Sequence, residues 1–133
     1  MIFIDTGAFL ARYLPSDQHH KAAVALWDKI RTTRESCVTS NFVLDETLTL
    51  LARRASYIFA AEKARIFYTS GALEILRPDL EVELAALNWF QKFADQAVSF
   101  TDCTSFALMR EAGVHTAFSF DAHFERAGFK MFK

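Results

Sequence analysis

Asp5, Glu46, Asp102 and Asp121 are remote from one another in the chain, yet each stands where an apolar strand ends or a helix begins. Asp5 follows Ile2-Phe3-Ile4, and Glu46 lies early in an apolar-periodic stretch opened by Asn41. Asp102 follows Val98-Ser99-Phe100-Thr101, and Asp121 follows Thr116-Ala117-Phe118-Ser119-Phe120. In a parallel α/β sheet, ligands bind beyond the carboxyl ends of the strands, so acids delivered there converge on one pocket. Carboxylates a few ångströms apart resist joint ionisation. A hard divalent cation with oxygen ligands relieves that repulsion, and Mg²⁺ or Mn²⁺ suits such a donor set. The pattern points to metal-assisted chemistry on a phosphate.

Taken singly, each acid also fits a plainer role. Asp5, Asp102 and Asp121 precede helical segments, where Asp is a good N-cap. Glu46 in a first turn would favour the helix dipole. Only the joint pattern, three strand ends of one sheet each carrying an acid to the same edge, argues for a site.

The elements that must position these acids follow from apolar periodicity. Ile2-Phe3-Ile4 reads as a short buried strand, and Thr6 to Tyr13 as a short helix stopped by Pro15. Ser16 or Asp17 caps a helix to about Thr32, with Ala22, Leu26 and Ile30 on one face. Cys37-Val38-Thr39 is a second strand. Asn41 caps a helix to about Arg54, with Val43, Leu44, Leu48 and Leu51 as its apolar stripe. A helix over Ser56 to Ser70, ended by Gly71, has one stripe of Tyr57, Ala61, Ala64 and Tyr68, with Phe59, Ile66 and Phe67 off it. Apolar on several sides, it is expected to be buried on more than one face. Leu73 to Leu76 is a third strand, and Asp79 caps a helix carrying Leu80, Leu84, Leu87 and Phe90. Val98 to Phe100 reads as a fourth strand, Asp102 to Ala112 as a helix closed by Gly113, and Thr116 to Phe118 as a fifth strand. A helical turn near His123-Phe124 and a last strand, Lys130-Met131-Phe132, complete the chain. Strands alternating with helices predict an α/β fold, three-layer αβα, with a mostly parallel central sheet covered on both faces.

The 133 residues are expected to form a single domain, 1–133, and the apolar fraction of 52% with 14 Phe argues against disorder. No apolar run approaches the roughly 18 residues that span a bilayer. The N-terminus lacks a basic region and meets Asp5 too early for a signal peptide, so the expected location is cytoplasmic, without a membrane. Cys37 and Cys103 form no CxxC, which excludes a zinc ribbon or disulfide scaffold and predicts two reduced, buried thiols. With 15 Lys plus Arg against 16 Asp plus Glu, the charge of −1 excludes a protein that grips duplex DNA by charge alone. Local clusters (Arg53-Arg54, Lys63/Arg65, Lys29/Arg31/Arg34) read as solvated helix ends or as contacts to nucleic acid.

Other acid-bearing folds of this topology fail on their motifs. A haloacid-type phosphatase needs Asp-x-Asp after the first strand, but Asp5 is followed by Thr6-Gly7. The paired acids and late Lys of a response regulator are absent, as are GxGxxG and Walker patterns. The chain instead resembles the PIN-domain superfamily, and within it the VapC-type toxin ribonucleases. The resemblance is carried by Ile4-Asp5-Thr6-Gly7-Ala8-Phe9-Leu10, Asp17 to Ala22, Ser40 to Glu46, Phe100 to Ala107 and Ser119 to Phe124, in that order over nearly the whole chain.

By position, that resemblance implies a catalytic and metal-binding quartet of Asp5, Glu46, Asp102 and Asp121, with Thr6 and Ser119 in support. Ser119 stands where the family often has Thr, which keeps the hydroxyl. Some members carry another acid or amide shortly after the last Asp; here Ala122-His123 follows. Asp45 and Glu46 point about 100° apart on a helix, so only one can face the pocket, and the family match selects Glu46. His19 and His20 are expected at the surface or as caps, His115 as structural, and His123 as packing or supporting. The implied function is a Mg²⁺- or Mn²⁺-dependent ribonuclease acting on single-stranded or loop RNA, the toxin of a toxin–antitoxin pair. The implied partners are an antitoxin and a homodimer mate, for either of which the Ser56–Ser70 helix offers a surface. An RNA-maturation nuclease would share the chemistry and differ in partner, and a non-cleaving binding module would have lost an acid.

Overall fold

The computed structural model describes Met1–Lys133 as a five-stranded parallel sheet with helices on both faces. The elements are β1 (Ile2–Ile4), α1 (Thr6–Tyr13), α2 (His20–Thr33), β2 (Cys37–Ser40), α3 (Asn41–Arg54), α4 (Tyr57–Thr69), β3 (Leu73–Leu76), α5 (Leu80–Lys92), α6 (Phe100–Ala112), β4 (Thr116–Phe118), α7 (His123–Arg126) and β5 (Lys130–Met131). The sheet order is β3-β2-β1-β4-β5, with every pair parallel. The sheet therefore grows from β1 first to one side and then to the other, and the switch between β1 and β4 is where such sheets open a crevice. No helix is long and apolar enough to cross a membrane.

Alternate side chains of the short central strands feed two aromatic layers. Phe9, Trp27 and Phe67, from α1, α2 and α4, meet at ring distances of 5.6 and 4.9 Å, and Trp27 reaches Phe118 of β4 at 5.3 Å. On the other face Phe3 of β1 packs on Phe124, which meets Phe106 of α6 edge-on at 5.0 Å. Phe3, Phe9, Phe106, Phe118 and Phe124 are all fully buried. Removing each from water stabilises the fold by about 2 kcal/mol. Cys37 and Cys103 are buried and free.

Several local expectations are corrected. Val98 to Phe100 is not a strand: Ala97 turns the chain at φ 54, and Ser99 Oγ accepts the amide of Asp102 at 3.1 Å, so a helix starts at Phe100. The apolar alternation mimicked a strand, but a local cap won. Ser40 rather than Asn41 caps α3, accepting from the Val43 amide at 3.1 Å. Helix α2 begins at His20, because Asp17 spends its carboxylate on the His19 amide in a turn. Its inner face is Ala23, Leu26, Trp27 and Ile30, while Ala22 is exposed.

The largest corrections concern α4 and α5. Helix α4 buries Ala60 and Phe67, but Tyr57, Ile58, Ile66 and Tyr68 are exposed in the single chain. Helix α5 keeps its Asp79 cap, which accepts from the Val82 amide at 3.0 Å. Its buried side is Val82 and Ala86, with Trp89 and Phe93 meeting Phe106 edge-on. The expected stripe of Leu80, Leu84, Leu87 and Phe90 faces solvent, with Leu80 70% exposed. Helix α5 is apolar on two sides and packs against α6 with only one.

Candidate active site

The four acids line one cavity of about 320 Å³ at the carboxyl edge of β1 and β4, together with Thr6, Gly7, Ser99, Phe120 and His123. Asp5 arrives directly from the end of β1. Its amide extends the ladder by donating to the Phe118 carbonyl at 3.0 Å, which sets Ser119 opposite it. Ser119 Oγ then donates to Asp5 Oδ2 at 2.7 Å and accepts the Asp121 amide at 3.0 Å. Thr39, fully buried on β2, donates to the Ile4 carbonyl at 2.8 Å and secures the strand end from the other side. Although Asp5 occupies the N-cap position of α1, its side chain caps nothing.

Asp102 reaches the cleft from the first turn of α6 rather than from a strand end. Ser99 takes the capping role, which leaves the Asp102 carboxylate free to point into the cavity. Asp121 lies three residues beyond β4, and its Oδ1 accepts the His123 amide at 2.9 Å. That turn folds His123 back, with Nδ1 2.9 Å from Asp121 Oδ1 and 3.5 Å from Asp102 Oδ2. Ligand atoms of Asp102, Asp121 and His123 lie within 4.8 Å of one another. Glu46 lines the cleft from α3, outside that tight group, while Asp45 is exposed.

The crowding has an electrostatic signature. Burial pushes Asp5 up to about 6, against the lowering effect of the Ser119 hydroxyl and the Thr6 amide, with the charges of Glu46 and Asp121 adding to the rise. Burial also lifts Asp102 to about 8, and the charges of Asp5 and Asp121 lift it further. The N-terminus of α6 favours a carboxylate there, but desolvation and like charge outweigh it. Cys103, beside Asp102, is pushed up to about 11, chiefly by burial, and so is no nucleophile at neutral pH.

A divalent cation fits this donor set. Four carboxylates from four parts of the fold face one cavity, burial and mutual repulsion raise the proton affinity of two of them, and the buried Thr6 Oγ1 has no hydrogen-bond partner. Hard oxygen ligands of this kind suit Mg²⁺ or Mn²⁺. Of the two roles expected for His123, packing or support, its contacts with Asp121 and Asp102 fit support; the local signal is Asp-x-His itself, since Asp favours a turn that returns the second residue onto its own side chain. Phe120, Ser99 and Ala97 also line the cleft, and none was singled out for it in the sequence.

Residues 2–130 match the family model described as PIN domain. The chain is 38% identical over 130 residues to the 23S rRNA-specific endonuclease VapC20 of Mycobacterium tuberculosis, covering 97% of this chain and 95% of the relative. The crystal structure of that protein, described as a Sarcin-Ricin loop cleaving toxin, superposes with a TM-score of 0.86 at 34% identity over 97% of this chain and 96% of the other. A VapC ribonuclease of Archaeoglobus fulgidus is 33% identical over 130 residues, covering 91% of this chain and 77% of the relative. FitAcB from Neisseria gonorrhoeae shares the fold, with a TM-score of 0.68 at 16% identity over 100% of this chain and 97% of the other.

Proposed function

The chain belongs to the PIN domain family, and from that premise we propose that residues 1–133 form one nuclease domain that hydrolyses RNA phosphodiester bonds as the toxin of a toxin–antitoxin pair. The observation that carries this reading is the convergence of Asp5, Glu46, Asp102 and Asp121 on one cleft. These four would hold Mg²⁺ or Mn²⁺. When bound, such an ion offsets charge on the scissile phosphate and acidifies the attacking water.

The protein's own groups do the rest. Ser119 fixes the Asp5 carboxylate through its hydroxyl and, through the Asp121 amide, sets the spacing of those two acids. Asp102 would serve as a ligand with the other three acids, and one carboxylate of the set would also take the proton of the attacking water. Glu46 closes the cleft from α3, and His123 holds the Asp102–Asp121 side by its proximity to both. Attack by water leaves a 5′-phosphate and a 3′-hydroxyl.

The first candidate substrate is a ribosomal RNA loop of the kind named for the Mycobacterium relative, encountered in the cytoplasm. An antitoxin segment would occupy the groove of about 700 Å³ between α1, α2 and α4, where Phe9, Tyr13, Trp27 and Phe67 are bordered by Arg12, Arg31 and Arg34. An apolar segment with acidic neighbours matches that lining. The exposed stripe of α5 would serve a second copy of the chain.

The test is incubation of the purified protein with end-labelled RNA, with and without Mn²⁺, beside Asp5→Asn. Cleavage by wild type only, and only with metal, is expected. Cutting that survives EDTA or the substitution, or products ending in a 2′,3′-cyclic phosphate, would refute metal-assisted hydrolysis.

A further inference from the structure

The acid cleft is bordered by one aromatic ring, Phe120, that the hydrolysis described above does not use. Phe120 stands between Ser119 and Asp121 in the chain, and its ring lines the cavity. His19, which immediately precedes α2, lays its imidazole flat against that ring, with centroids 4.3 Å apart and planes within 1° of parallel. Most rings of the core contact one another or their neighbours tilted or edge-on, and the one other stacked pair, Trp89 and Phe93, is wider, with centroids 5.7 Å apart and planes 15° from parallel. Unlike that pair, His19 and Phe120 stack outside the core, and both are only half-buried.

The two rings differ in what else holds them. Phe120 is backed edge-on by Phe118 at 5.9 Å and lies over Gly7, where a Cβ would come within 4.0 Å of its ring. His19 is anchored only through its backbone, whose amide donates to Asp17 Oδ1 at 2.8 Å. Its side chain caps nothing at the start of α2. Its neighbour His20 is committed elsewhere, donating from Nδ1 to the Ala11 carbonyl at 2.7 Å. The turn thus fixes the His19 backbone, while no hydrogen bond commits its ring.

Charge raises the same question from another side. No Lys or Arg lines the acid cleft, and the chain as a whole carries a formal charge of −1. Apart from the ion that the acids would hold, a polyanion in this cleft meets no side-chain cation, so further contact there rests on uncharged groups. Aromatic faces supply it, because every base has a π-face and stacking tolerates any sequence.

We propose that Phe120 and His19 form a base-stacking shelf, on which the nucleobase next to the scissile phosphate adds as the third ring, over His19 with Phe120 behind it. The shelf rests on the ribonuclease reading and deepens it by naming the pair that positions the RNA. It holds substrate and leaves the acids untouched.

The test uses a stem-loop RNA of the sarcin–ricin type carrying 2-aminopurine at single loop positions, followed by stopped flow before turnover and then by steady-state cleavage in Mn²⁺. Wild type should quench the fluorophore at one loop position. In His19→Ala and in Phe120→Leu that quenching disappears and KM rises about tenfold, the size of one lost base–aromatic contact, while kcat stays within about twofold. His19→Tyr restores both quenching and KM, and the Mn²⁺-induced rise in melting temperature is the same in all four proteins. Unchanged KM and quenching in both loss variants, or a fall in kcat alone, would overturn the shelf. Wild type that cuts RNA without quenching at any loop position would remove the shelf and keep the ribonuclease; wild type that quenches without cutting would do the reverse.

Discussion

Two concave regions of the molecule lie at opposite edges of the same sheet. The groove near the amino ends of β2 and β3 has a volume of about 700 Å³ and a mostly apolar lining. The cleft at the carboxyl ends of β1 and β4 has a volume of about 320 Å³ and holds four carboxylates. Size favours the first and chemistry the second. In the groove, Arg12 lies over Trp27 and Tyr13 at 4.6 and 5.2 Å, an arrangement that offers adhesion but nothing to move a proton. In the cleft, burial has been imposed on groups that resist it, and their raised proton affinities record the cost. A region built against its own electrostatic preference is the better sign of function.

The sharpest way to break that contrast is to exchange the effects of the two regions. Asp102→Asn is expected to lower RNA cleavage by roughly 10³-fold through loss of charge stabilisation in the transition state. Ile66→Asp, in the groove, should leave cleavage by the isolated protein unchanged and weaken antitoxin binding. Rate assays with and without antitoxin measure both, and an Ile66→Asp protein as inactive as Asp102→Asn would erase the distinction.

A smaller effect is expected from Ser119→Ala, which removes the bridge between Asp5 and Asp121. Metal affinity or activity should fall by about 10- to 100-fold, as for other supports of metal ligands. Titration with Mn²⁺ followed by melting temperature would measure it, and Ser119→Thr should retain most of the affinity.

The pH dependence of stability separates the regions without any substrate. Asp102 rises from 3.8 to about 8 on folding, so between those values the native state holds a proton that the unfolded chain has released. Metal-free stability should therefore fall as pH climbs from about 4 to about 8. Asp5 contributes in the same direction up to about 6. Mn²⁺ at pH 8 should reverse the loss by binding the folded state, and Asp102→Asn should flatten the curve. Thermal melts across this range, rising rather than falling toward pH 8, would contradict the assignment of strain to the cleft.

The least dramatic change concerns a surface outside both regions. Leu84→Glu on the exposed stripe of α5 should shift light-scattering mass toward the single chain and leave the melting temperature nearly unchanged. A large loss of stability would mean instead that the stripe is needed within the chain.

The sequence and the structure agree best where one physical signal acted alone. β1, α1 and α3 were legible because an apolar strand, a proline stop and a clean helical stripe had no competitor. The acids were legible as a set because strand ends and helix starts share one edge of a parallel sheet. Two segments misled for opposite reasons. At Val98–Phe100 apolar alternation and a serine cap competed, and the cap prevailed because α6 needs its orphan amides satisfied. On α5, both Leu80/Leu84/Leu87/Phe90 and Val82/Ala86/Trp89/Phe93 are apolar, and periodicity alone does not rank two stripes of one helix. Sheet order and the approach of His123 to Asp102 depend on contacts between distant elements, which no local pattern encodes.

The hydroxyl of Ser119 carries a single hydrogen, and its placement has a directional consequence. Because its oxygen already receives the amide of Asp121, that hydrogen is committed to Asp5. Asp5 must then present a bare oxygen on this side, in whatever state of protonation its far oxygen adopts. The two oxygens of one carboxylate are thus made unequal by a neighbour, one tethered and one free to turn toward the cavity. An asparagine at position 5 can meet the same demand with its carbonyl, which makes it a faithful silent copy of the native geometry.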